Sequence, residues 1–333
     1  MTADLRPMNL GEILDRTFLV YRRHLRTHIM VALFPALAVL AFHLVNYLVI
    51  HLETRGTVAW SLSPVLGKFF ARLILYHLSA LVWTPFIFAF AWLVAAQESD
   101  QQPTSREALQ LLRARWRDAV WVAMLKIAVV LFVPEIITAG ILVSLAYLFD
   151  KVGVFAPGSG IFPGLFAGII PAVIGLSLFF WLGPCFALAL PAAALEGYRG
   201  RQALVRSWRL SHGGRLRIFV VWSMIVLFGW GISISGQLGF RWIMYFSSWK
   251  IIPSLVWLRV YSIGSYLLMT MFSTVLGPLY PIALTLIYYD QRIRREGYDV
   301  ERMIEAAGLN IPATSPVQVA PEVESPRLEE PLA

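Results

Sequence analysis

GPLYPIALTLIYYDQRIRREGYD, residues 277–299, decides the fold. An apolar run with an internal Gly-Pro stops at Tyr288-Tyr289, meets Asp290 and gives way to Arg292, Arg294 and Arg295. A membrane-spanning helix leaves lipid in this order, with amphipathic rings at the headgroup level and cations on the cytoplasmic side. Weaker versions of the same exit occur twice upstream.

Composition agrees with that reading. Hydrophobic residues make up 58% of the chain and charged residues 14%, with a mean hydropathy of +0.67, outside the range of soluble globular domains. Several apolar runs exceed the roughly 18–20 residues needed to cross a hydrocarbon core of about 30 Å. The fold class expected is all-α, a polytopic membrane bundle of six transmembrane helices occupying residues 1–305. The spans fall at about 28–50, 69–97, 119–149, 164–195, 216–239 and 255–289. Residues 8–26 carry Leu10, Ile13, Leu14, Phe18, Tyr21 and Leu25 at helical spacing, with Arg16, Arg22, Arg23 and Arg26 between them. They fit a helix lying in the headgroup plane or one packed on the protein's own cytoplasmic surface. No removable signal peptide is read there; the first span directs insertion. Ser105 is the expected N-cap of a second polar helix. The connection FRWIMYFSSWKIIP, residues 240–253, is expected to lie along the interface. Residues 306–333, punctuated by five prolines with little to bury, are expected to be a disordered cytoplasmic tail.

Orientation follows from the cations. The N-terminal segment, the 2–3 and 4–5 loops and the C-terminal segment hold 20 of the 28 Lys and Arg residues. By the positive-inside rule both termini are cytoplasmic and the span count is even. A net charge of +8 distributed in this way points to anionic membrane lipids as partners, not to nucleic acid. The single cysteine, Cys185, excludes an intramolecular disulfide and reads as a small packing residue.

A threefold repeat is expected from the register of GEIL at 11–14, REAL at 106–109 and RQAL at 201–204, spaced by 95 residues. Each opens a basic amphipathic segment followed by two spans. The second span of each pair carries a proline (Pro85, Pro184, Pro278) and then an acid (Glu98, Glu196, Asp290). Two spans return the chain to its starting side, so the copies are parallel repeats.

The stretches MNLGEILDRTFLVYRRH, EGYRGRQALVRSWRLSHGG and YYDQRIRREGYD together resemble the bacterial membrane domain found attached to some glycerophosphoryl diester phosphodiesterases, and its stand-alone relatives. The resemblance covers about residues 8–300. It implies a six-span membrane module without assigned catalysis, since in the fused proteins the phosphodiesterase chemistry belongs to a separate soluble barrel for which this chain has no room. No catalytic residue carries over.

No metal spacing, Gly-rich phosphate loop or nucleophile–base pair is visible, so neither an enzyme nor a cofactor is expected. Two groups of residues remain as candidates. Glu135, immediately after Pro134 in span 3, falls at a depth comparable to His43 in span 1 and His77 in span 2, and an ionisable group there is costly. A carboxylate and two imidazoles at one level relay a proton or hold a cation, or are structural. Arg199, Arg201, Arg206, Arg209, Arg215 and Arg217 of the 4–5 loop, with Arg292, Arg294 and Arg295, are candidate contacts for anionic lipid or phosphate. As an ordinary positive-inside loop the 4–5 segment needs no such role, and the topological reading is the favoured one. Gly164, Gly168, Ala172 and Gly175 form a small-residue stripe for close helix approach, within the monomer or in a homo-oligomer. The expected function is a non-enzymatic module that binds lipids or serves as an accessory subunit to another membrane protein in an envelope or transport process. Its rivals are a small proton-coupled transporter and, least supported, an intramembrane enzyme acting on lipid headgroups. A polar, water-accessible cavity at Glu135 favours transport; a dry core with basic grooves favours lipid binding.

Overall fold

The computed structural model describes residues 7–53, 64–99, 101–151, 162–248 and 255–306; the 306–333 tail lies outside them apart from its first residue. The described residues are mostly helical, without strands, and six helical segments are long and apolar enough to cross a membrane. Helix α1 (Leu10–Arg23) leads directly into the first span, α2 (Leu25–Glu53). The second span is α3 (Pro64–Glu98), followed by the short polar α4 (Ser105–Ala114). The third comprises α5 (Trp116–Ile127), a π-turn (Ala128–Phe132) and α6 (Val133–Lys151). The fourth is α7 (Phe162–Phe186) with α8 (Ala189–Leu195), then α9 (Arg201–Ser211). The fifth is α10 (Arg215–Ser248) and the sixth α11 (Leu255–Leu276) with α12 (Leu279–Glu296), closed by α13 (Tyr298–Ala306), a helix not anticipated from the sequence.

Local chemistry explains the starts. In α1, Glu12 N–H donates to Asn9 Oδ1 while Asn9 N–H donates to Glu12 Oε2. In α4, Glu107 and Thr104 exchange the same pair of bonds, so Thr104, not Ser105, is the N-cap. A capping box needs its acid three residues after the cap, which is the reason GEIL and REAL share a glutamate. The third copy lacks the box. Gly200 precedes α9 with φ 49°, and a Cβ there would lie 2.8 Å from the Trp121 indole.

The spans form a closed ring in chain order, α2 against α3, α3 against α5, α6 against α7, α7 against α10, α10 against α11 and α11 back against α2. Inside it, the segments that follow Pro85, Pro184 and Pro278 converge: α3 packs on α8 and α12, and α8 on α12. Their residues, among them Phe88, Leu188, Leu190, Ile282, Leu284 and Tyr288, form the main core. The polar helices cover this end, with α1 on α12, α4 on α3 and α9 on α8.

The three prolines act differently. Pro85 lies within continuous α3, whereas the chain breaks after Phe186 and again at Gly277-Pro278. At the first break Ser207 Oγ donates to the Cys185 carbonyl (2.9 Å) and accepts from Leu188 N–H (3.1 Å), and Ser211 Oγ also donates to Cys185 (3.2 Å). Near the second, Tyr21 Oη donates to the Val275 carbonyl. Side chains of α9 and α1 thus satisfy backbone groups in or next to the interrupted helices. Pro134, in contrast, is accommodated by the preceding π-turn, where Val133 N–H reaches Ala128 O and relieves the ring's clash with the carbonyl four residues back.

Two expectations need correction. Residues 240–248 continue α10 as helix instead of forming a separate interfacial connection. Of Gly168 and Gly175 in the glycine stripe, a Cβ at Gly168 would meet nothing within 4 Å, whereas one at Gly175 would fall 2.0 Å from Thr138 Oγ1, a close approach.

Candidate functional site: an intramembrane cavity above an ion-pair collar

The charged end is a collar of internal ion pairs. Asp290, fully buried, accepts from Met8 N–H (2.9 Å) and from Arg294 Nε (3.0 Å), and lies 3.3 Å from Arg217 Nε. Arg217 and Arg294 also donate to the Met8 carbonyl. Glu196 receives a two-pronged contact from Arg206 (2.8 and 3.0 Å) and the Tyr288 hydroxyl, while Arg206 and Arg292 both reach Glu296. Burial alone would lower the Arg206 pKa, but its hydrogen bonds to Glu296 and Glu196 outweigh this and raise it above the ordinary arginine range. Glu98 is held by Arg16. Each of the three acids singled out in the repeat is therefore an arginine anchor.

This collar redefines the candidate arginines. Arg206, Arg217, Arg292 and Arg294 are engaged as described, and Arg199 Nε lies 3.3 Å from Asp118. Arg215 stacks on Trp208, 4.3 Å from the ring centre, and Arg295 lies over Gly213. Only Arg201 and Arg209, both exposed, have no such contact among the described residues. A separate groove of about 640 Å³ at this end carries Arg23 and Arg26 beside Thr27, Gln97, Gln101 and Thr104. Its cations, on the α1–α2 junction, are the more accessible basic patch.

Of the buried level expected at Glu135, the structure assembles two members. His77 Nε2 lies 3.0 Å from Glu135 Oε2, although off the line of a straight hydrogen bond, with Nδ1 2.7 Å from the Leu73 carbonyl and the ring stacked on Phe132. His43 instead stacks on Tyr266 of α11, with ring centres 5.1 Å apart. Its contacts are with another neighbour.

Between the spans, above the converged core, lies a cavity of about 710 Å³. That volume is in the range of small-molecule and cofactor sites. Helices α3, α5, α7, α10, α11 and α12 all contribute, and the walls are mainly apolar, with Trp83, Phe179, Trp222, Trp230 and Phe272 prominent. Neither Glu135 nor His77 lines it; their nearest link is Tyr76, which lines the cavity and sets its ring against His77. The polar groups facing the cavity include Lys126, Gln237 and Tyr280. Lys126 is 9% exposed and has no carboxylate within 4.0 Å among the described residues.

Lys126 was not among the candidate residues read from the sequence. A signal was present: a lysine with Val122, Ala123, Val129 and Val130 at i±4 and i±3 has no acid within a helical turn to compensate it. Tyr280 and Gln237 gave no comparable signal. Among the described residues no three His, Cys, Asp or Glu side chains converge as a metal site would require. Comparison with protein-family models, curated proteins and solved structures finds no match.

Proposed function

We propose that this protein is a non-enzymatic, six-span module of the bacterial inner membrane that binds lipid, taking an apolar chain into the central cavity. The observation that carries this reading is the cavity itself, about 710 Å³ with a predominantly apolar wall, to which five of the six spans contribute. Lipid tails are the most abundant ligand of that chemistry in a bilayer. The groove with Arg23 and Arg26 adds a place for anionic headgroups at the basic end. In this reading the basic end and both termini are cytoplasmic, and the fold is a threefold repeat of the kind suggested by its resemblance to phosphodiesterase-associated membrane domains. The cyclic packing of α1 on α12, α4 on α3 and α9 on α8 supports the repeat. So does the pairing of register mates Thr17 and Ser207, buried hydroxyls on α1 and α9. An accessory role beside another membrane protein, or as a homo-oligomer, is compatible with the exposed apolar faces of α6 and α10.

The test is extraction of the protein with its native lipid annulus, exchange into defined phosphatidylcholine nanodiscs, and mass spectrometry of what stays bound. A retained lipid in fixed ratio to protein is expected. Retention that tracks bulk composition and washes out completely would sink the proposal. A proton-coupled carrier is the second reading, favoured by the 3.0 Å His77–Glu135 pair. In that case Glu135→Gln abolishes proton-linked flux in liposomes while leaving insertion intact; flux with the same pH dependence in the variant removes it.

A further inference from the structure

We infer that the cavity's ligand carries an anionic head, a phosphate monoester or carboxylate on a long apolar chain, and that Lys126 is the residue that recognises it. This deepens the lipid-binding reading and rests on it. Lys126 stands ten residues into span 3, about 15 Å beyond Trp116 at 1.5 Å per residue. That places its Cα near the middle of a hydrocarbon layer about 30 Å thick. Lys126 lines the cavity and is more than nine-tenths buried.

Every other strongly buried charge in the described part of the bundle has a counter-charge within the protein: Asp290 has Arg217 and Arg294, and Glu196 has Arg206. Lys126 has none among the described residues. A cation held without compensation in an apolar site is strongly unfavourable, so leucine or methionine would serve packing better. A ligand that brings its own negative charge supplies what the protein omits. A free inorganic anion is not the preferred occupant, because most of the wall, including Phe179, Ile225, Val226, Phe272 and Leu276, offers it no hydrogen bonds. A chain fills that apolar volume while the head meets the ammonium. Tyr280, another wall residue, has a hydroxyl free to donate to the same head: it makes no hydrogen bond among the described residues.

The full-length protein in phosphatidylcholine nanodiscs, doped in turn with hexadecyl phosphate, palmitate or hexadecanol, tests this by native mass spectrometry of the bound amphiphile. Inorganic phosphate in the buffer is the fourth arm. Wild type should retain the two anionic chains over hexadecanol by about tenfold, the value of one charge-assisted hydrogen bond. Lys126→Met should erase that preference without reducing hexadecanol binding, and Lys126→Arg should restore it. Equal retention of all three chains by wild type overturns the role of Lys126 but leaves the cavity as a lipid site. No retention of any chain overturns both. Preference for free phosphate over hexadecyl phosphate, or an equal fall for charged and neutral chains in Lys126→Met, would also contradict the inference, the latter by making the lysine a structural residue. If Lys126→Met does not fold, Lys126→Gln, which keeps a polar head, serves in its place.

Discussion

The two ends of the bundle are built on opposite rules. At the basic end α3, α8 and α12 converge on large buried side chains, and every acid in the collar meets an arginine. Toward the other end the spans part around a cavity, and Ile136, Val143, Leu227 and Ile243 are each more than 60% exposed on the outer faces. In water such faces would be an aggregation liability; in lipid they are the ordinary solvent contact. On the lipid-binding reading proposed above, fold and function are separated along the membrane normal: the collar ties the helices together at one end, and the cavity end is left to the ligand.

Substitutions in the two halves should therefore differ in kind. The largest loss is expected from Asp290→Ala, which strands Arg217 and Arg294 and leaves the Met8 amide unsatisfied in a buried site. Breaking such a pair costs about 3–5 kcal/mol, and thermal unfolding followed by size-exclusion fluorescence should show little folded protein. Glu196→Gln keeps the shape but removes the charge that Arg206 and Tyr288 share. A destabilisation of about 2–3 kcal/mol is expected, the scale of hydrogen bonds to a charged group. Next comes Gly277→Ala, where a Cβ would fall 2.2 Å from the Ser273 carbonyl and 2.7 Å from Trp83; overpacking of this type costs about 1–3 kcal/mol. Thr104→Ala removes one cap and should cost about 1 kcal/mol. A stable Asp290→Ala protein would erase the contrast between the halves, and a wild-type melting point for Glu196→Gln would confine the collar to Asp290.

What the sequence made legible follows the same division. Span positions were readable because lipid imposes length and the Lys and Arg residues mark the ends, and the paired acids were found through their register. Their partners were not readable: Met8 meets Asp290 across 282 residues, and Arg16 meets Glu98 across 82. Depth could be read from counting residues along a helix, but not direction around it. That is why His77 and Glu135 do meet while His43, at similar depth, turns to Tyr266. It is also why Lys126, whose depth was plain, was not recognised as facing a cavity. The helix breaks escaped for a related reason, since whether a proline interrupts a span depends on distant side chains such as Ser207 and Tyr21 that capture the released carbonyls.

The most direct test of the account is to fill the cavity while leaving the collar untouched. Gly229 lines it, and a Cβ there would meet nothing within 4 Å, so Gly229→Trp places a large ring in open space. The quantity to measure is the number of lipid molecules retained per protein after exchange into phosphatidylcholine nanodiscs. The expected result is a folded, monodisperse protein that has lost the tightly held lipid and melts lower only by the stabilisation the lipid supplied. Unchanged lipid retention in a folded Gly229→Trp protein would contradict it.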